Sequence, residues 1–287
     1  MVRNTTAHLA TAFALAFLPV ALAQNPASAS KQKYPPMPRT ADGKPDLTGV
    51  WQGGSNRVGT WEEANDGPGI GGTGIGATGT AAPAQAPAAN RPPAAAREPA
   101  PYQPWAAAKV LEFFNRRGID DPDAYCIPPG VPRITTFGLF PMQFVQTPQT
   151  VVILFEVYHV FRIIPINAKH PDDLEPSYMG DSVGHWEGDT LVVDVTGFND
   201  KTWLGPTGTF HSEALHVTER YTRVDYNTIN YDVTMEDPNV LTKPWSTHST
   251  IMLRPGTRLR EYECAENNAD LERYEKLLKD DSIFRRK

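Results

Sequence analysis

Between residues 140 and 264 the chain alternates short β-rich runs with tight-turn signals, and that rhythm admits few folds. Val151 to Ile164 is largely β-branched and aromatic, and a turn signal at Pro148-Gln149 leads into it. His185 to Val195 reads as a hairpin around Glu187-Gly188-Asp189. Ala214 to Val224 and Thr228 to Met235 are joined by Asp225-Tyr226-Asn227. Trp245 to Leu253 and Leu259 to Cys264 flank Arg254-Pro255-Gly256-Thr257, a third hairpin. Leu47 to Trp51 reads as a first strand. An antiparallel meander of this kind hides its edges by packing on a second sheet or by closing into a barrel.

Hairpin follows hairpin and a helix comes last, which favours closure. The expected fold is mainly β, an antiparallel lipocalin-like β-barrel, with a β-sandwich as the alternative. The Gly49-Val50-Trp51 step is similar to the G-x-W that opens the first strand of lipocalins. A short helix is expected over Trp105 to Arg117, with Val110, Leu111, Phe113 and Phe114 as its apolar residues and Gly118 at its C-terminus. An amphipathic helix is expected over Asn268 to Lys279, with Leu271, Tyr274, Leu277 and Leu278 on one side.

The first 23 residues read as an export signal. Arg3 supplies the positive end, Leu9 to Ala23 an apolar run, and Ala21-Leu22-Ala23 a cleavage site. That run is short for a membrane span, so a periplasmic or extracellular protein, not inserted in the membrane after cleavage, is expected. Residues 24–66 hold an extended segment and the first strand. Residues 67–104 are a Gly/Ala/Pro-rich insertion that cannot bury enough apolar surface to offset its ordering entropy. Residues 105–287 form the main β domain, joined by 47–53. A net charge of −6 gives no electrostatic footprint for nucleic acid. The two cysteines, Cys126 and Cys264, are most simply a disulfide in an oxidising compartment. Closing so long a loop is worth roughly 4–5 kcal/mol in the chain-entropy model.

Period-2 alternation assigns faces. Read as one strand, Val151 to Ile164 puts Glu156, Tyr158 and Arg162 on one buried face. In Glu213 to Arg223, Glu219 falls on the apolar face between Val217 and Tyr221, and His216 and Arg220 fall on the solvated one. Asp194 shares a face with Val192 and Thr196. Glu156, Asp194, Glu219 and Arg162 are thus expected in one interior. There they form either a salt-bridge network or a pocket of acid–base groups. His211 begins a strand after a Gly/Pro loop, and Tyr178 and His170 lie in loops. The expected catalytic set is His211, Glu219, Asp194, Arg162 and Tyr178. Glu156, Tyr158, His170, Tyr221 and Trp245 are expected to contact substrate. His159, His185 and His248 read as structural or exposed. His170, Asp172, His211 and Glu213 lack the compact spacing of zinc motifs, and no cofactor motif, nucleophile elbow or C-x-x-C is present, so no metal or cofactor is expected.

Three segments together resemble a large group of exported bacterial hypothetical proteins. They are Thr40 to Trp51, Cys126-Ile127-Pro128-Pro129-Gly130-Val131-Pro132-Arg133, and Gly184-His185-Trp186-Glu187-Gly188-Asp189-Thr190-Leu191-Val192-Val193-Asp194. The W-E-G-D-T-L-V-V-D run is the most specific of them. The resemblance brings no catalytic residues with it. The residues themselves lead to a cofactor-independent enzyme, lyase-type with hydrolase as the neighbour. It would act on a small, fairly apolar, hydroxylated molecule by elimination, isomerisation or hydration. The alternative is a lipocalin-like carrier with the same pocket and no turnover.

Overall fold

The computed structural model describes residues 35–53, 100–116, 118–136, 140–205, 208–266 and 268–279. The export signal and residues 67–99 of the insertion lie outside the described residues. Everything described belongs to the compact unit Tyr34–Lys287.

Nine strands make one sheet: β1 (Gly49–Gly53), β2 (Pro141–Gln146), β3 (Thr150–Phe155), β4 (Phe161–Pro165), β5 (Asp181–Glu187), β6 (Thr190–Thr196), β7 (His216–Arg223), β8 (Thr228–Glu236) and β9 (Trp245–Leu253). Their order is β4-β3-β2-β1-β9-β8-β7-β6-β5. Every ladder in that order is antiparallel. The result is a nearly closed, lipocalin-like meander barrel.

Parity explains why it is only nearly closed. A ring of nine strands cannot alternate direction throughout, so one adjacent pair must run parallel. That pair is β4 and β5, which meet through a single parallel bridge at Ile166 and Gly184. The Asn167 N–H donates to the Gly184 carbonyl at 2.7 Å. The connection over 166–180 therefore runs back along the outside of the barrel before β5 starts.

Trp51, Phe144, Ile153, Ile164, Tyr221 and Tyr231 are fully buried and fill the interior. Each contributes about 1.5–3 kcal/mol relative to an exposed position. At the end bearing the tight turns, Trp51 donates through Nε1 to the Leu47 carbonyl at 2.8 Å. The Arg223 guanidinium lies 4.9 Å from the Trp51 ring and donates to the carbonyls of Asp46 and Tyr226. At the other end the long connections gather, with α1 (Pro104–Asn115) and α2 (Arg133–Thr136) among them. In α1, Phe113 meets Trp203 and Phe210 at ring distances of 5.0 and 6.0 Å, and Ala106 is buried. The closing helix α3 spans Ala269–Lys279.

Two expectations are corrected. Val151 to Ile164 is not one strand but a hairpin, β3 and β4, reversed through a single helical turn at Val157–His159. Tyr158 and His159 hold positive φ there, at 60° and 51°. No Gly or Pro marks the reversal, so composition alone reads straight through it. The reversal also changes phase: odd positions point inward in β3 and even positions in β4. Phe161 and Ile163 therefore face outward. Second, Leu259 to Cys264 forms no strand, because the free edge of β9 is already taken by β1.

Candidate functional site

Three clusters of ionisable groups bear on the expected site. The first is the interior one. Arg162 reaches Glu219 through both terminal nitrogens, Nη1 at 3.0 Å and Nη2 in a shorter contact. Tyr221 and Tyr231 donate to Glu219 Oε1 at 2.8 and 2.6 Å. Arg162 Nη2 also donates to Ser182 Oγ at 2.9 Å, which ties β4 to β5 across the seam. Burial alone would pull the Arg162 pKa down, but the charge and hydrogen bond of Glu219 together with the Tyr221 and Tyr231 phenols outweigh it and the net shift is upward. Burial, then Glu219, pushes both phenols up. The paired-network reading of Arg162 and Glu219 is the one observed. Four donors converge on one fully buried carboxylate, three on Oε1 and one on Oε2, in an interior packed too tightly to admit a ligand.

The second cluster plugs the barrel end beneath the long connections. Arg133 binds Asp121 in a bidentate pair at 2.8 and 2.8 Å, with Asp123 at 3.6 Å. The Tyr158 hydroxyl donates to Asp123, both to its carboxylate and, at 3.0 Å, to its carbonyl. Burial holds Asp123 above the usual carboxylate range against the opposing pull of Arg133. The Cys126–Cys264 disulfide sits at this end and ties the same loop to the segment before α3.

The third cluster lies on the outer face of β5 to β8. It is a chain of alternating carboxylates and imidazoles. His170 Nδ1 is 2.6 Å from Asp181 Oδ2, and its Nε2 is 2.9 Å from Asp194 Oδ2. His216 Nε2 is 2.6 Å from Asp194 Oδ1, and its Nδ1 is 3.4 Å from Glu236 Oε2. Side-chain exposures are 21% for His170 and 38% for both Asp194 and His216, so solvent reaches the group. Burial opposes the charge on His170, but its bonds to Asp181 and Asp194 raise its pKa. Burial would raise Asp194, and its bonds to His170 and His216 bring it down.

Several expected residues are thereby placed. Asp194 does not point inward: in β6 it is Leu191, Val193 and Val195 that face the core, so Asp194 with Thr196 faces out. Glu156 also leaves the interior, since it sits in the β3–β4 reversal and accepts from the Arg260 N–H at 2.7 Å. His211 stands near the long-loop end but is buried. Its Nδ1–H donates to the Ser212 carbonyl at 2.9 Å, and its Nε2 accepts from Thr202 Oγ1 at 2.7 Å. Burial lowers its pKa, so it is a neutral loop anchor. Among the described residues no hydrogen bond joins His211 or Tyr178 to Arg162 or Glu219. Tyr178 is half-buried in the 166–180 connection, and Trp245 packs between the main core and the small cluster under α1. His216, Asp181 and Glu236 were missed as a group, as were Asp121, Asp123 and Arg133. The available signal was the apolar alternation of Leu191, Val193 and Val195 in β6, which turns Asp194 outward onto the face of His216.

Among the described residues no group of three His, Cys, Asp or Glu side chains is arranged to hold a metal ion. No helix there is long and apolar enough to cross a membrane. Comparison with protein families, with curated proteins and with solved structures returns no match.

Proposed function

We propose that the mature chain works outside the cytoplasm as a member of the exported group it resembles, and that it carries out general acid–base chemistry on a small hydroxylated molecule. The reaction class is elimination, isomerisation or hydration, and the reacting groups are the outer-face cluster centred on Asp194. One observation carries this reading. The Asp194 carboxylate takes one imidazole on each oxygen, and the three side chains stay partly open to solvent. A carboxylate that orients a solvent-facing imidazole is the arrangement general acid–base catalysis uses. The disulfide supports an oxidising compartment.

The test is a metabolite screen with the disulfide-intact mature protein. Turnover that falls in Asp194→Asn and survives in Tyr178→Phe supports the reading. Turnover that survives Asp194→Asn removes the site. The alternative expected from the sequence, a carrier without turnover, would have to bind outside the filled interior. Saturable binding with no product from any compound would select it.

A further inference from the structure

We infer that the two imidazoles of the outer-face cluster have separate roles: His216 is the group that accepts a proton, through Nδ1, and His170 is a fixed cation that positions Asp194. The inference rests on the acid–base reading above and assigns parts within it. Carboxylate oxygens can only accept hydrogen bonds when ionised. Both His170 nitrogens meet such oxygens, Nδ1 at 2.6 Å on Asp181 and Nε2 at 2.9 Å on Asp194. Both lengths suit a charge-assisted bond. Each nitrogen must donate, so the ring is held doubly protonated and has no lone pair to offer. It is the less exposed of the two rings, at 21%. It also pins the 166–180 connection to β5 and β6.

His216 differs at one nitrogen. Asp194 Oδ1 claims Nε2–H at 2.6 Å, which fixes the tautomer. Nδ1 faces only Glu236, at 3.4 Å, longer than a charge-assisted bond. When the ring is neutral, the shorter Asp194 contact keeps the proton on Nε2 and leaves Nδ1 as the basic nitrogen, beside Glu236 at a position that is 38% exposed. The charged groups facing it are Asp194 from β6 and Glu236 from β8. Those facing His170 are Asp181 from β5 and Asp194 from β6. In the reaction, Nδ1 takes a proton from the substrate and the electron pair of the broken bond stays on the substrate. The imidazolium that forms donates through Nε2 to Asp194 and through Nδ1 to Glu236. Returning that proton to the leaving oxygen completes an elimination, with no oxidant or reductant required.

The test uses long-range ¹⁵N–¹H correlation of the histidine rings in the full chain, together with diethyl pyrocarbonate as a chemical probe of bare ring nitrogen. The neutral form of His216 is expected to carry its proton on Nε2, while His170 is expected to keep both nitrogens protonated above the ordinary histidine value. The probe is expected to modify His216 and leave His170 intact, and Asp194→Asn to give His216 a mixture of tautomers. Nδ1-protonated neutral His216, or equal modification of both rings, overturns the assignment. For any compound turned over in the screen, His216→Gln is expected to lower kcat by at least about 100-fold. Turnover lost in Asp194→Asn but kept in His216→Gln overturns the role of His216 while leaving the proposed function standing. An absence of turnover in wild type, with the ring states as expected, instead removes the function.

Discussion

Glu219 takes three donors on Oε1 and one on Oε2 and is fully buried, so no substrate reaches it. Its role is to balance Arg162 inside the barrel. Glu219→Gln leaves that guanidinium buried without a counter-charge and is expected to cost about 3–5 kcal/mol. Urea denaturation measures it, and an unchanged midpoint would contradict the pairing. Asp194 has equally short contacts but sits where protons exchange with solvent. The pH dependence follows from the signs. His170 is raised in the folded state, so its contribution is complete below the ordinary histidine value and is lost as pH rises through the folded one. Asp194 is lowered, so its contribution is complete above the ordinary carboxylate value and is lost as pH falls through the folded one. The stability gap between wild type and His170→Ala is thus expected to be widest at about pH 4 to 6.5 and to shrink on the alkaline side. Denaturation midpoints across that range check it. A gap that widens at alkaline pH would contradict the clamp.

The elements differ in how plainly they could be read. β7 and β8 alternate strictly, tight turns join β5 to β6 and β7 to β8, and both hairpins appear where the pattern puts them. The β3–β4 reversal did not announce itself, because Glu156-Val157-Tyr158-His159-Val160 contains no turn former. The β4–β5 seam was also invisible, since a parallel contact between strands separated by a crossover leaves no local mark. At that seam Gly184 has no room for a side chain. A Cβ there would lie 2.8 Å from Ile164 Cγ2 and 3.1 Å from Ile166 Cδ1. Gly184→Val is expected to destabilise by about 1–3 kcal/mol through overpacking. Faster amide exchange at Asn167, which donates across the same seam, would localise the effect. A variant as stable as wild type would mean that the seam closes less tightly than the contacts imply.

On the scale of the molecule, a barrel with one weak closure is reinforced by a long covalent loop. Cys126 and Cys264 are 138 residues apart in sequence, and the bond spans all the strands but β1. Replacing both with serine is expected to cost up to about 5 kcal/mol, the loop-closure entropy returned to the unfolded chain. Thermal unfolding of the oxidised protein against the double variant measures it, and equal midpoints would remove the stapling role. The sequence alone determined the fold class, the β5–β6 and β7–β8 hairpins, the cysteine pairing and the inward face of β7. Those follow from local periodicity and turn chemistry, which a linear reading captures. It also identified that Asp194 shares a face with Val192 and Thr196. The other face of β6, Leu191, Val193 and Val195, is wholly apolar, and in the structure it is that face which meets the core, so Asp194 points out. Closure of the ring made Glu219 a satisfied interior acid, and it brought His170, Asp194 and His216 together from a crossover and two strands.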